Sequence, residues 1–424
     1  MGRLNKIFLE KVELSGYKSI DGVFTNFNRG LNIIIGKNAV GKTNFLKFLN
    51  NSLNFRFSHL NNFESNFTVI LQDEKNYKFN FSKKTSLKFH NNTFEKLMYK
   101  TLRPNFNGSL DILESNNPIS RHYEIGNEDQ CSLFRKTFEE EKINIKSTLI
   151  KHGVPQDYLI VDKPLNIELI NKTISDDFIN LFNDFGQPNF FRTVFYKLLT
   201  LDLIESNNIF NKRLKNSESI LKHEKKVISK YKKDIIDDLS SILSGIKSEL
   251  LKYSPIQDIK VNDNFILEID SLNEKVHLKN FYFEFYIDKK WYSFEDLSDG
   301  TKRIFYIISE IFIIERNSDK LEDFNILNVI LIEEPELGVH PHQLYKLMRF
   351  IKEKSNYNQI VITTHSPLSL DILEKNELDC VIIAKRESNK TILQHLTLEK
   401  REKAMMYMDQ INLSDYWLNS DLED

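Results

Sequence analysis

Cysteine is almost missing from this chain: Cys131 and Cys380 are the only two among 424 residues, and they lie far apart. Neither a disulfide framework nor a thiolate metal site can be built from them, which disfavours secretion and fits a reducing cytoplasm. An excess of one charge is missing too. Lys and Arg number 58 against 60 Asp and Glu, a formal charge of −2, so no global basic field draws the chain to nucleic acid and such binding needs a local patch. The longest apolar run, Ile304–Ile314, is broken by Ser309 and Glu310. It falls short of the roughly 20 residues of a membrane helix and reads as a buried helix, so no membrane partner is expected. The N-terminal IFLEKVELSGYKSI alternates apolar and polar residues, with neither an apolar leader nor a small-residue cleavage site. A cytoplasmic location follows as the expectation.

What is present is an ordinary globular composition, 41% hydrophobic and 28% charged, which excludes wholesale disorder. The most informative stretch comes early. Leu31–Ile35 is an apolar run after a turn-like Asn28-Arg29-Gly30; GKNAVGKT follows at Gly36–Thr43, and then the apolar-periodic FLKFL. That order is strand, glycine loop, helix. Gly36 and Gly41 let the backbone curl until successive N–H groups converge on an anion, and the next helix aims its positive end at the same point. Lys42 reaches the β- and γ-phosphates in such a loop, and the Thr43 hydroxyl holds Mg²⁺. Gly36, Lys37, Asn38, Ala39, Val40, Gly41, Lys42, Thr43 and Asn44 are therefore the candidate ATP-binding residues.

Far downstream, NVILIEEPELGVHP at Asn328–Pro341 is an apolar strand that delivers Glu333 and Glu334 at its C-terminal end, where ligands sit in a parallel α/β sheet. Adjacent strand residues point to opposite sides, so Glu333 is the candidate on the metal side and Glu334 the candidate general base for an attacking water. FEDLSDGTKR at Phe294–Arg303 leads straight into the apolar helix, with Ser298 placed to cap it. QIVITTHSP at Gln359–Pro367 ends a β-branched strand in His365, a position from which an imidazole can meet a γ-phosphate.

With these pieces in place, the chain resembles the ATP-binding-cassette class of P-loop ATPases, in the branch of SMC-like and OLD-family proteins. KVELSGYKSIDG…LNIIIGKNAVGKTNFLKFL is similar to their opening, LSDGTKR to their signature, LIEEPELGVHP to their second carboxylate motif with its D-loop, and TTHSP to their switch histidine. Glu333 departs from the usual Asp. The resemblance covers about residues 1–80 and 280–400. It implies that Ser298, Asp299 and Gly300 of one subunit close over the nucleotide of another, so that at least a dimer is needed. It also implies that Lys18 and Ser19 flank the nucleotide. No position for the glutamine loop is assigned: Gln72 is available but sits in an expected hairpin, with antiparallel strands over Phe67–Phe81.

The expected fold is α/β, an ABC-type ATPase domain with a mixed sheet and an antiparallel β-subdomain, formed by residues 1–95 and 264–424. A mainly helical insertion is expected over 96–263, with antiparallel helices around 207–253, where Val227, Ile228, Tyr231, Ile235, Leu239, Ile242, Leu243, Ile246 and Leu250 follow a helical period. Residues 211–233 carry nine Lys or Arg against two Glu. This run is either a phosphate-facing DNA contact or a solvated helix face.

OLD-family nucleases carry a TOPRIM module that needs an Asp-x-Asp pair, and no two aspartates here are two positions apart. The resemblance therefore narrows to ATPase subunits of bacterial antiphage systems such as Septu and PARIS, which form homo-oligomers and hold a separately encoded HNH or TOPRIM nuclease. The alternative is an SMC-like DNA-repair or chromosome-maintenance ATPase that clamps DNA on ATP-driven dimerisation.

Overall fold

A computed structural model describes residues 7–58, 60–71, 75–87, 102–114, 117–151, 165–170, 190, 193–194, 217–270, 275–318 and 324–419. The chain divides into two compact units: Met1–His152, Ser318–Glu336 and Met348–Asp424 form the first, Gly153–Asn317 and Leu337–Leu347 the second.

The first unit holds two six-stranded sheets. One is antiparallel throughout and runs β2 (Val23–Asn26), β1 (Ile7–Ser15), β4 (Phe63–Leu71), β5 (Lys75–Leu87), β6 (Leu102–Glu114), β7 (Asn117–Ile125). Its inner face is built from the chain's abundant phenylalanine: Phe57 lies 4.5 Å from Phe81 and 5.0 Å from Phe106, and Phe67 lies 5.2 Å from Phe79, ring centre to ring centre. Each such buried side chain contributes about 1.5–3 kcal/mol.

The other sheet runs β18 (Lys390–His395), β17 (Val381–Glu387), β3 (Leu31–Ile35), β16 (Gln359–Thr364), β15 (Asn325–Glu333), β8 (Ile143–Ile150), parallel except for the edge strand β18. Strands β3 and β16 are buried at every position, which is why they read as continuous apolar or β-branched runs rather than alternating ones. Gln359 ties the two sheets together. Its side-chain amide accepts from Leu9 N at 2.8 Å and donates to Leu9 O at 2.7 Å, next to the register shift in β1. Helix α1 (Lys42–Leu53) follows β3, and α2 (Cys131–Glu140) precedes β8.

A mainly helical segment from residue 96 is corrected for 102–150. Strands β6, β7 and β8 belong to the sheets of the first unit, because Phe106, Leu110 and Ile112 alternate with polar residues and are buried in its core.

In the second unit, β9 (Leu165–Ile170), β11 (Ile266–Asp270) and β12 (Lys275–Phe281) form one antiparallel sheet, and β10 (Asp258–Val261), β13 (Phe283–Ile287) and β14 (Lys290–Ser293) another. Helix α3 (Ser217–Tyr253) is one continuous helix of 37 residues, not a pair, because no proline interrupts it before Pro255. Ile235, Leu239, Ile242, Leu243, Ile246 and Leu250 are buried, in line with their spacing. Gly245 leaves room for Phe312 on α4 (Asp299–Ser318): a Cβ at 245 would lie 2.2 Å from the tip of that ring. Helix α5 (Pro341–Lys354) leads back to the first unit, which closes with α6 (Leu398–Tyr407) and α7 (Leu413–Asn419). Among the described residues no helix is long and apolar enough to cross a membrane.

Candidate functional site

The strand order decides the geometry. Strands β3, β16 and β15 are neighbours and parallel, with Ile35 opposite Thr364 and Thr363 opposite Glu333. The loop after β3, His365 after β16 and the carboxylates after β15 therefore emerge at one edge of the sheet, spread over roughly 10 Å at the usual strand spacing.

The loop is shaped by its glycines. Gly36 N donates to Thr364 O at 3.3 Å, and a Cβ at this position would stand 2.0 Å from Ala384 O on β17. Gly41 has φ 103°, and a Cβ there would meet the Thr391 hydroxyl at 2.4 Å. Lys37, Asn38 and Ala39 are exposed and Val40 is buried, with Ala39 in the left-handed region at φ 64°.

Helix α1 starts with no side-chain cap and no acidic residue in its first turn, so its positive end and its first N–H groups suit an anion. The buried Lys42 folds back over the loop, its Nζ donating to Gly36 O at 2.6 Å and Lys37 O at 2.8 Å. Thr43 and Asn44 lie half-buried in the same first turn. These features fit a nucleotide triphosphate.

Lys18 and Ser19 are brought to this loop. Lys18 Nζ donates to Asn44 Oδ1 at 2.9 Å. Thr391 Oγ1 donates to Val40 O at 2.7 Å, so Ser19 Oγ, 2.9 Å from Thr391 Oγ1, is the donor in that second bond. Thr391 and Ala384 carried no motif in the sequence, and only the pairing of β17 and β18 places them against the loop.

The carboxylates differ from each other in setting. Glu333 ends β15 and is buried at 1% exposure. Glu334 does not continue the pleat: its φ is 47°, and its N–H donates to Thr363 O at 2.8 Å. The expected opposite pointing of two strand neighbours is thus replaced by a left-handed turn, a conformation that costs a non-glycine residue about 1–3 kcal/mol and that clusters at functional sites. His365 Nδ1 lies 3.1 Å from Glu336 Oε1 and 3.8 Å from Glu334 Oε1. Glu336 is a residue that motif reading passed over inside EEPELG.

Among the described residues no cluster of three or more His, Cys, Asp or Glu side chains could hold a metal ion. Thr43 and buried Glu333 fit a magnesium ion that takes its remaining oxygens from phosphate and water, as Mg²⁺ usually does. Burial pushes the thiols of Cys131 and Cys380 up to about 12, so neither is a nucleophile at neutral pH.

The signature belongs to the second unit. Ser298 caps α4, its Oγ accepting from Thr301 N at 3.3 Å and its carbonyl from Lys302 N at 2.9 Å. Ser298 and Asp299 are exposed and Gly300 is buried. A Cβ at Gly300 would meet Gly338 O at 2.3 Å, so the signature packs directly on the segment that follows the carboxylates. Within the basic run, Lys226, Lys230 and Lys233 are exposed at helical spacing on α3, whereas Lys232 Nζ donates to Asp263 O at 2.8 Å and lies 4.6 Å from the Phe265 ring centre. Gln72 and residues 211–216 lie outside the described residues, as do the side chains of Lys222 and Lys225.

Parallel sheet, glycine loop and strand-end carboxylates define a P-loop ATPase of the AAA type. Residues 99–371 match the family described as "AAA domain, putative AbiEii toxin, Type IV TA system", and the chain belongs to that family. Among curated proteins it is 24% identical over 376 residues to the Septu protein PtuA of Bacillus thuringiensis, covering 88% of this chain and 75% of that one. The Septu protein PtuA of Bacillus mycoides (strain KBAB4) is 29% identical over 138 residues, 32% of this chain and 18% of that protein's length. The "Retron Vc95 probable ATPase" of Vibrio cholerae serotype O1 biovar El Tor is 21% identical over 400 residues, 89% of this chain and 74% of that one.

Proposed function

We propose that the chain is the ATP-binding and ATP-hydrolysing subunit of a bacterial antiphage complex and controls a separately encoded nuclease of HNH or TOPRIM type. The observation that carries the ATPase reading is the register that brings the loop after Ile35, His365 and the Glu333–Glu334 pair to one sheet edge. The Septu and retron relatives support the defence role.

The loop N–H groups, the α1 end and Lys42 hold the β- and γ-phosphates of ATP. Thr43 and Glu333 would hold magnesium, which would supply positive charge against the phosphates. Glu334 takes a proton from a water as its oxygen attacks the γ-phosphorus; the bond to the β–γ bridging oxygen breaks, leaving ADP and phosphate. His365 donates to the γ-phosphate, and Lys18 and Ser19 flank the nucleotide. Ser298, Asp299 and Gly300 come from a second copy, so the working unit is at least a dimer in the cytoplasm. The exposed Lys226, Lys230 and Lys233 favour DNA as a further partner.

The test is phosphate release from ATP by the purified chain, with calorimetry of Lys42→Ala. The variant loses nucleotide binding on this reading, and equal affinity in the two proteins refutes it. Co-purification of a nuclease encoded next to the gene tests the partner.

A further inference from the structure

A carboxylate outside the expected catalytic set holds the switch histidine. Two donors from consecutive residues converge on one oxygen of Glu336, Thr364 Oγ1 at 2.7 Å and His365 N at 2.9 Å from Oε1, and the imidazole Nδ1 of His365 stands 3.1 Å from the same oxygen, within ion-pair range. The side chain is only 7% exposed, and its other oxygen, Oε2, is buried with no hydrogen-bond partner among the described residues. A buried carboxylate oxygen without a partner is uncommon and calls for a reason. Glu336 is committed on a single side, to the segment that carries the imidazole.

We propose that Glu336 is a positioning residue for ATP hydrolysis: it fixes the ring of His365 and its Nδ1–H tautomer, leaving Nε2 for the γ-phosphate. The inference rests on the ATPase reading above. Glu334 Oε1 lies 3.8 Å from the same Nδ1, beyond hydrogen-bond reach, so the structure divides the labour between the two glutamates. Glu336 takes the histidine, and Glu334 stays available for water. An imidazole held from behind by a carboxylate acts in one orientation and one tautomer, the arrangement that lets a histidine serve a reacting group repeatedly. The left-handed turn at Glu334 allows this division. Both glutamates would otherwise follow the strand pleat, and the chain instead turns between Glu333 and Glu336.

Glu336→Ala, His365→Ala and the double variant form the test, with turnover and ATP affinity read for each. Glu336→Ala lowers kcat by about 10- to 100-fold, as loss of an orienting partner usually does, while ATP affinity stays within about two-fold. Glu336→Gln, which has the same shape and keeps one acceptor oxygen, recovers most of that turnover. The double variant is no slower than His365→Ala, because Glu336 acts only through the ring.

A second measurement needs no Glu336 variant. Nitrogen spectra of histidine-labelled wild type near pH 8.5, with the His365 signal assigned by its loss in His365→Ala, show the Nδ1–H tautomer. Absence of ATP hydrolysis in the wild type overturns both the ATPase reading and this inference. With hydrolysis intact, penalties that multiply in the double variant, or an Nε2–H tautomer, overturn this inference alone.

Discussion

The Thr391 hydroxyl donates to the carbonyl of Val40 at 2.7 Å, so an edge strand close to the C-terminus braces a phosphate loop close to the N-terminus. Thr391 N also donates to Ser19 O at 2.8 Å, and the hydroxyls of Ser19 and Thr391 meet at 2.9 Å. The loop's shape therefore depends on a hairpin, β17–β18, that carries none of the nucleotide motifs.

Thr391→Val removes the donor while keeping the side chain's volume and leaves a buried carbonyl unpaired. A loss of about 1 kcal/mol, roughly five-fold in ATP affinity, is expected, and Thr391→Ser keeps the wild-type value. Nucleotide titration of the two variants checks this. Unchanged affinity in the valine variant means that the loop holds its shape without the brace.

Glu334→Gln keeps the side chain's size and removes the proton acceptor. ATP binding stays, turnover falls by at least about 100-fold, and the ATP-bound oligomer accumulates and is seen by light scattering. Turnover near the wild-type rate would place the base elsewhere.

Asp371 follows the switch-histidine segment and accepts from Ser414 N and Ser414 Oγ, each at 2.8 Å, which ties α7 to that segment. Burial pushes its carboxyl above the ordinary range, against the opposing pull of the Ser414 bonds, with Asp415 adding to the rise. The folded protein therefore binds this proton more tightly than the unfolded chain does. The stabilising contribution is complete below the unfolded value of about 3.9 and is lost as pH rises through the folded value. Asp371→Asn never carries the charge, so it melts roughly 1–2 °C above wild type at neutral pH, and the gap closes below about pH 4. Scanning calorimetry at both pH values decides; a gap that does not change with pH removes burial of the charge as its cause.

Lys226, Lys230 and Lys233 are exposed at helical spacing on α3. Reversing all three to Glu weakens duplex-DNA binding alike for every sequence and flattens its salt dependence. ATP hydrolysis without DNA is untouched, since the three lie outside every nucleotide motif. Titrations at two salt concentrations measure it, and unaltered affinity means that this face is solvated only.

Much of the site could be read from the chain because it is local. The glycine loop needs only Gly36, Gly41 and Lys42 between an apolar strand and an apolar-periodic helix. The two carboxylates need only a strand that ends, and Ser298 needs only to precede a helix by one residue. The buried face of α3 was legible in the same way, through the spacing of Ile235, Leu239, Ile242, Ile246 and Leu250, although the expected pair of helices is one continuous helix over Ser217–Tyr253.

What local pattern could not supply was which strands lie side by side. Residues 102–150 carry no nucleotide motif, yet β6 and β7 extend the antiparallel sheet and β8 closes the parallel one. Pairing with a strand far along the chain depends on partner and register, and neither is written in the periodicity of a single strand. The chemistry of the site was already present in the order of residues: a loop of glycines around Lys42, two glutamates at one strand end and a histidine at another. That Glu336 rather than Glu334 holds His365, and that Thr391 braces Val40, emerged only in the folded chain. Those contacts join residues far apart in the chain, most of them in the segments that follow different strands, and a hydrogen bond reaching only about 3 Å exists only once strand order and register have placed both partners.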